Sequence, residues 1–184
     1  MSLLTTVGLT NLDFALTCPA GFLTNWNVSS TNAAIASATV AMANTSQPQF
    51  SFGVQGGQVL QGSSVIGSIC VDALPGSSAF VPLAVANFGA TTAINSPAAV
   101  SAAQGGQVVV VGNKPLLGAS LGTNSSPMLT LYGNAGVNYE LLSTTNLSGS
   151  GWTTAGSVTL TNLSQLINLG GATNRMQFFE AVQP

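Results

Sequence analysis

The sequence predicts an all-β protein: a β-sandwich over residues 1–117, a linker over 118–127 and a smaller β module over 128–184. Three observations lead there. The stretch Gly105 to Leu117 (GGQVVVVGNKPLL) carries four consecutive valines, Val108 to Val111. β-Branched side chains fit a pleated, packed surface, and Gly-Gly before and Gly-Asn-Lys-Pro after punctuate the strand. Short runs of alternating apolar and polar residues recur along the chain at sandwich spacing, separated by turn residues. No segment has the length and 3.6-residue apolar period of an amphipathic helix.

Taken in order, Leu3, Thr5, Val7 and Leu9 alternate with their neighbours, and Leu12 to Cys18 alternates again. This reads as two short strands broken at Gly8 to Asn11, or as one long bent strand. Pro19-Ala-Gly21 is a turn and Phe22 to Val28 a strand carrying Trp26. Ala33 to Ala43 is rich in alanine, which favours helix. Its Ile35, Ser37 and Thr39 and its short length favour strand, and strand is the expectation. Further strands are expected at Phe50 to Val54, Ser64 to Val71 and Ala79 to Phe88, where Pro82 marks an edge or a bulge. A short piece near Thr91 to Ile94 and the valine strand complete the sandwich. GASLGTNSSP, Gly118 to Pro127, is a linker by composition. The second module follows with Met128 to Tyr132, Tyr139 to Thr144, Trp152 to Leu160, a piece near Leu166 and Met176 to Val182. So small a module has a small core, expected to be filled by Tyr139, Leu141 and Trp152.

Charge is the anomaly. Of 184 residues, 46% are hydrophobic and 3% charged, against about 25% charged in an ordinary domain. The six are Asp13, Asp72, Glu140, Glu180, Lys114 and Arg175; there is no histidine, and the net charge is −2. No run approaches the 18 or so apolar residues of a spanning helix, and the repeated segments and aromatic girdles of a lipid-facing barrel are missing. No membrane insertion is expected. Two basic residues cannot neutralise a run of phosphates or hold an anionic lipid surface, which excludes nucleic acid and such membranes as partners. The first residues, MSLLTTVGLTNL, lack a basic n-region and a long apolar core, and do not read as a signal peptide. With so few ions, little electrostatic repulsion keeps copies apart. The surface is expected to be covered in use, by other subunits or by glycan, or to sit in a longer chain. The plainer reading is the compositional style of a secreted Ser/Thr/Asn-rich protein.

Two segments carry a resemblance. PGSSAFVPLAVANF followed by GGQVVVVGNKPLL resembles the latter half of cohesin-like β-sandwiches, in which a turn leads to an x-V-P-L-x-V strand and a late valine-rich strand closes the sheet. The tail LTLYGNAGVNYELLSTTNL, with a Trp and RMQFFEAV after it, is similar to small immunoglobulin-like modules at the C-terminal ends of large secreted bacterial surface proteins. The resemblance spans most of the chain and implies a jelly-roll-type sandwich in an extracellular setting. The chain departs from such modules in its charge. Cohesins bind dockerin modules, but no dockerin-contact residue carries over to a position here.

Little in the sequence carries chemistry. Nucleophilic triads need histidine or a substitute base, and the only lysine, Lys114, precedes Pro115 in a turn. The four carboxylates are scattered over both modules, without the paired setting of a glycosidase. Metal sites of histidine or clustered cysteine are absent. Asp13 or Asp72 with Asn and backbone carbonyls could supply oxygen ligands for Ca²⁺; the favoured reading is a turn carboxylate accepting backbone N–H groups. The glycine pairs Gly56-Gly57 and Gly105-Gly106 precede strands and are not phosphate loops. N-glycosylation sequons occur at Asn27, Asn44, Asn124, Asn146 and Asn162, where chance in so Ser/Thr-rich a chain gives about three. Trp26 and Trp152 suit either sugar stacking or a core. Cys18 and Cys70 permit one disulfide. Alternation sets Cys18 on the core face and Cys70 on the opposite one, which favours two separate thiols.

The expectation is therefore a non-enzymatic extracellular structural protein, without cofactors, whose main partner is itself in a filament, fibre or surface layer. Leu3, Thr5, Val7 and Leu9 are the candidate strand for exchange between subunits; the alternative is that they form the first strand of their own sheet. The second functional reading is a cohesin-like binding module of a secreted or cell-surface protein, recognising a protein or a glycan. With four carboxylates and no histidine, stability is expected to be nearly flat from about pH 3 to 9.

Overall fold

The computed structural model describes residues 1–98, 102–122, 127–148, 151–169 and 176–184. Among the described residues there are fourteen strands and no helix. The chain divides into two compact units, Met1–Leu74 with Val81–Val108, and Pro75–Phe80 with Val109–Pro184.

The first unit is built on one strand, β1 (Ser2–Thr17). It is a single long strand, and it changes partner along its length. On one side β4 (Gln47–Val54) meets its second half, with Leu12 opposite Phe52 and Phe14 opposite Phe50. On that same side β5 (Leu60–Val65) meets its first half, with Leu3 opposite Ser64 and Thr5 opposite Gly62. On the other side β7 (Ala79–Thr92) pairs with Leu9 to Thr17. β3 (Ile35–Asn44) lies beyond β4, and β8 (Gly106–Val110) beyond β7, giving the order β3-β4-β1-β7-β8. The expected run Ala33 to Ala43 is thus strand from Ile35 onward in spite of its alanines, with Ala33 and Ala34 in the turn before it. A second, two-stranded sheet pairs β2 (Leu23–Ser30) with β6 (Gly67–Ala73).

The core follows the alternation of β1 and β4. Leu12, Phe14 and Leu16 meet Phe50 and Phe52, with Leu9, Ile35, Leu60 and Ile66 around them. Phe14 stacks on Phe50 at 5.3 Å between ring centroids, and the Trp26 ring of β2 meets Phe50 edge-on at 6.2 Å. Such aromatic pairs add about 0.5–1.5 kcal/mol each beyond area burial. Bulges adjust the ladders. Asn25 and Asn87, at φ of 52° and 50°, sit at register shifts of β2 and β7, a backbone state that Asn tolerates better than most residues.

The expected strand from Ser64 to Val71 is two. The run crosses from the large sheet to the small one at Ile66-Gly67: β5 pairs with β1, and β6 with β2. Gly67 permits the crossing, because a Cβ there would lie 2.2 Å from the Ser29 carbonyl oxygen.

The second unit has two three-stranded sheets. β10 (Pro127–Tyr132) lies between β9 (Leu116–Leu121) and β13 (Ser164–Asn168). β11 (Asn138–Thr144) lies between β12 (Thr153–Thr159) and β14 (Phe178–Val182). Leu131, Tyr139 and Leu160 are buried at the centre, with Leu117, Val158, Ile167 and Ala181 packed on them. Two expectations are corrected here. Residues 118–121, read as linker, are strand, with Gly118 opposite Thr130 and Ala119 opposite Leu129. At Gly118 the lack of a side chain is a packing matter, since a Cβ there would lie 3.3 Å from the Tyr132 ring and 3.7 Å from Phe80. Of the expected Tyr139, Leu141 and Trp152, only Tyr139 is in the central cluster, with Leu131 and Leu160; Leu141 is buried outside it and Trp152 is half-buried. The fold is an all-β sandwich architecture.

Candidate assembly surface

The first half of β1 is the strand that the sequence singled out. Its residues do not share one face. Leu3 packs against the core and Leu9 is inside it. Thr5 is half-buried; its Oγ1 donates to the Val7 carbonyl at 2.8 Å and accepts the Val7 N–H at 3.3 Å. Val7 is exposed. The register shift between Thr5 and Leu9 breaks the alternation on which a shared face depends. The outward apolar side chain is instead Leu4, 80% exposed, which simple alternation assigned to nothing. Leu4 lies opposite Ser63 and Ser2 opposite Val65. Leu4 and the exposed Val65 are therefore diagonal neighbours on one face.

One side of this stretch is open. β5 pairs with Ser2 to Thr5, but β7 first meets β1 at Leu9. Among the described residues no strand pairs with Ser2 to Val7 on the side away from β5. Where the open stretch ends, the Ala93 N–H donates to the Gly8 carbonyl at 3.0 Å, and the turn so formed carries Ile94, 82% exposed. Natural sheet edges are blunted by charge or proline. Ser2 to Val7 has neither.

The carboxylates sit in separate local networks. Asp13 accepts from Asn11 Nδ2 and from Ser51 Oγ. Asp72 accepts from Asn25 Nδ2 at 2.9 Å, and Glu140 from Thr154 Oγ1. The fold does bring Glu140 and Glu180 onto one face of β11 and β14, opposite the face of Tyr139 and Leu141. Alternation in β11 reads this face, but its pairing with β14 is not visible in sequence. Among the described residues no three His, Cys, Asp or Glu are grouped so as to hold a metal ion. No helix among them is long and apolar enough to cross a membrane. Lys114 is exposed in a bend, and Arg175 lies outside the described residues.

Cys18 and Cys70 are free thiols, not a disulfide. Cys18 follows β1 directly, half-buried, with its Sγ 3.7 Å from the Ser46 carbonyl oxygen, and burial pushes its thiol pKa up. Cys70 is exposed on β6 opposite Asn27. The Trp26 ring belongs to the core packing, and its Nε1 is buried without a partner.

The sequons occupy different settings. Asn27 is inside β2, and Asn44 ends β3 at the turn into β4. Asn146 lies in the turn after β11, and Asn162 in the bend before β13. Asn124 lies outside the described residues. Compared with known proteins, the chain matches no family model and no curated protein.

Proposed function

We propose that this chain is a non-enzymatic, extracellular structural subunit that associates with copies of itself into a filament, fibre or surface layer. In this reading the first unit is a cohesin-like sandwich and the second an immunoglobulin-like module. The observation that carries it is the open side of β1, from Ser2 to Val7, uncharged and bordered by exposed Leu4, Val7 and Ile94. An unpaired strand edge is complementary to another extended strand. In a chain with six charged residues, few like charges oppose the approach of a second copy. Addition at this edge needs no unpairing. Full exchange of the strand would strip Leu3 and Leu9 from the core, so edge addition is the cheaper form of the contact.

Electron microscopy read beside sedimentation velocity tests the proposal. Polymers with a repeat of a few nanometres, growing with protein concentration, are expected. A clean monomer at high concentration overturns it, and favours the binding-module reading, with a protein or glycan as ligand.

A further inference from the structure

Of the four sequons in the described residues, three are held in place by backbone contacts to other strands. Asn27 is in the β2–β6 ladder opposite Cys70, and the hydroxyl of its Ser29 is bonded to that of Ser68 at 3.0 Å. Asn44 is opposite Gln47 in the β3–β4 ladder, and the carbonyl of its Ser46 accepts the Cys18 N–H at 3.2 Å. For Asn162, the Leu163 carbonyl accepts the Gly133 N–H at 3.1 Å, and Ser164 is in the β13–β10 ladder opposite Tyr132.

Asn146-Leu147-Ser148 differs. All three residues are exposed, and none is in a ladder. Their hydrogen bonds are local. Asn146 exchanges two bonds with the Thr144 hydroxyl, both 3.1 Å. The Asn146 Oδ1 accepts the Ser148 N–H at 3.0 Å and the Ser148 hydroxyl at 2.9 Å. A transferase must take the acceptor and the hydroxyl residue two places on as one segment in its own groove. Drawing out a ladder segment costs local unfolding of the sheet; drawing out this turn costs a few local bonds, two exposed and two part-buried, and none in a ladder.

We propose that Asn146 is the site at which the folded chain accepts an N-linked glycan from a lipid-diphosphate-linked oligosaccharide. In the step, Nδ2 of Asn146 bonds to the anomeric carbon of the sugar. The bond from that carbon to the diphosphate oxygen breaks, its electron pair leaving with the lipid diphosphate. One Nδ2 proton passes to a carboxylate base of the transferase. The biological use of the site rests on the extracellular placement proposed above; its reactivity does not.

The test uses the folded, glycan-free chain carrying Asn124→Gln, incubated with an oligosaccharyltransferase and a lipid-diphosphate oligosaccharide. Mass spectrometry locates the product. Peptides spanning each sequon report the reactivities without the fold. In the folded chain Asn146 is expected to react more than about tenfold faster than Asn27, Asn44 or Asn162, relative to the peptides. Ser148→Ala is expected to abolish the reaction at Asn146. No transfer to Asn146 of the folded chain, or the same order of rates in chain and peptides, overturns the inference. Selective transfer in vitro to a protein that carries no glycan in its native source upholds the inference and counts against the extracellular reading alone.

Discussion

The phenolic oxygen of Tyr139 accepts the backbone N–H of Asn134 at 2.9 Å. The ring is buried at the centre of the second unit. The chain passes so near it at Gly133 that a Cβ there would lie 2.6 Å from the ring. One side chain thus fills the core and fixes the turn between β10 and β11. Tyr139→Phe keeps the ring and leaves a part-buried N–H without its acceptor. It is expected to cost about 1–3 kcal/mol, read by urea denaturation. No loss would mean that the turn does not depend on this bond.

The crossing at Ile66-Gly67 gives a paired prediction. Gly67→Ala sets a Cβ against backbone, the Ser29 carbonyl, which has no rotamer by which to yield. A loss of about 1–3 kcal/mol or more is expected. Gly89→Ala, in β7, meets nothing within 4 Å and has no positive φ. It is expected to be neutral or to stabilise by up to about 1 kcal/mol, through the unfolded chain. Thermal melts of the two variants side by side check the contrast.

Leu4→Lys tests the open edge. Leu4 is exposed, so folding stability should change by no more than about 0.5 kcal/mol. A lysine on an edge blocks strand addition, and self-association is expected to weaken about tenfold or more, read by sedimentation velocity. Leu163→Lys, equally apolar and exposed but in the second unit, is the control. Equal effects of the two would assign the association to general hydrophobicity and not to β1.

Cys18 is expected to contribute to the loss of stability at alkaline pH. Burial raises its pKa, so the folded chain keeps this proton to a higher pH than the unfolded chain does. The stabilisation is fully present below about pH 8.5, where an unfolded thiol ionises, and is lost as pH rises from there through the folded pKa. With no histidine, no side chain has an ordinary pKa between about 5 and 8. The melting temperature should be level through that range and fall above it. Cys18→Ser should remove the early part of the fall. An unchanged alkaline slope in that variant would place its cause elsewhere.

The sequence made most strands legible because alternation and turn residues are local signals. Phe50 and Phe52, two apart between polar neighbours, read directly as one buried face. What it hid was decided by distant neighbours. Gly118 to Leu121 looks like linker because glycine and small polar residues mark loops, but Gly118 is there because Phe80 and Tyr132 cover it, and the segment pairs with β10. Ser64 to Val71 looks like one strand because a sheet crossing leaves the apolar pattern intact; only the approach of Ser29 to Gly67 reveals it. In the candidate surface, Val7 was legible as part of an edge, whereas Leu4 was not. A register shift depends on the partner strand, and β5 is some sixty residues further along. Leu160, just past β12, is buried where Trp152, just before it, was expected: size suggests a core residue, but it is Leu160 that the bonds to Gly136 and Val137 hold against the turn before β11.

The central place of β1 bears on how the chain is made. This strand is made before every strand it pairs with, and Thr10 bonds to Thr92, 82 residues further on. At about 5–20 residues per second, roughly 4–16 s pass before that partner exists. Throughout that interval the β7 side of a strand with five leucines, a phenylalanine and a single charged residue, Asp13, stays unpaired. Contacts this distant also fold slowly once the chain is complete. Rapid overproduction in a host should therefore yield insoluble material, and slower synthesis, or a chaperone that holds nascent apolar strands, should raise the soluble yield.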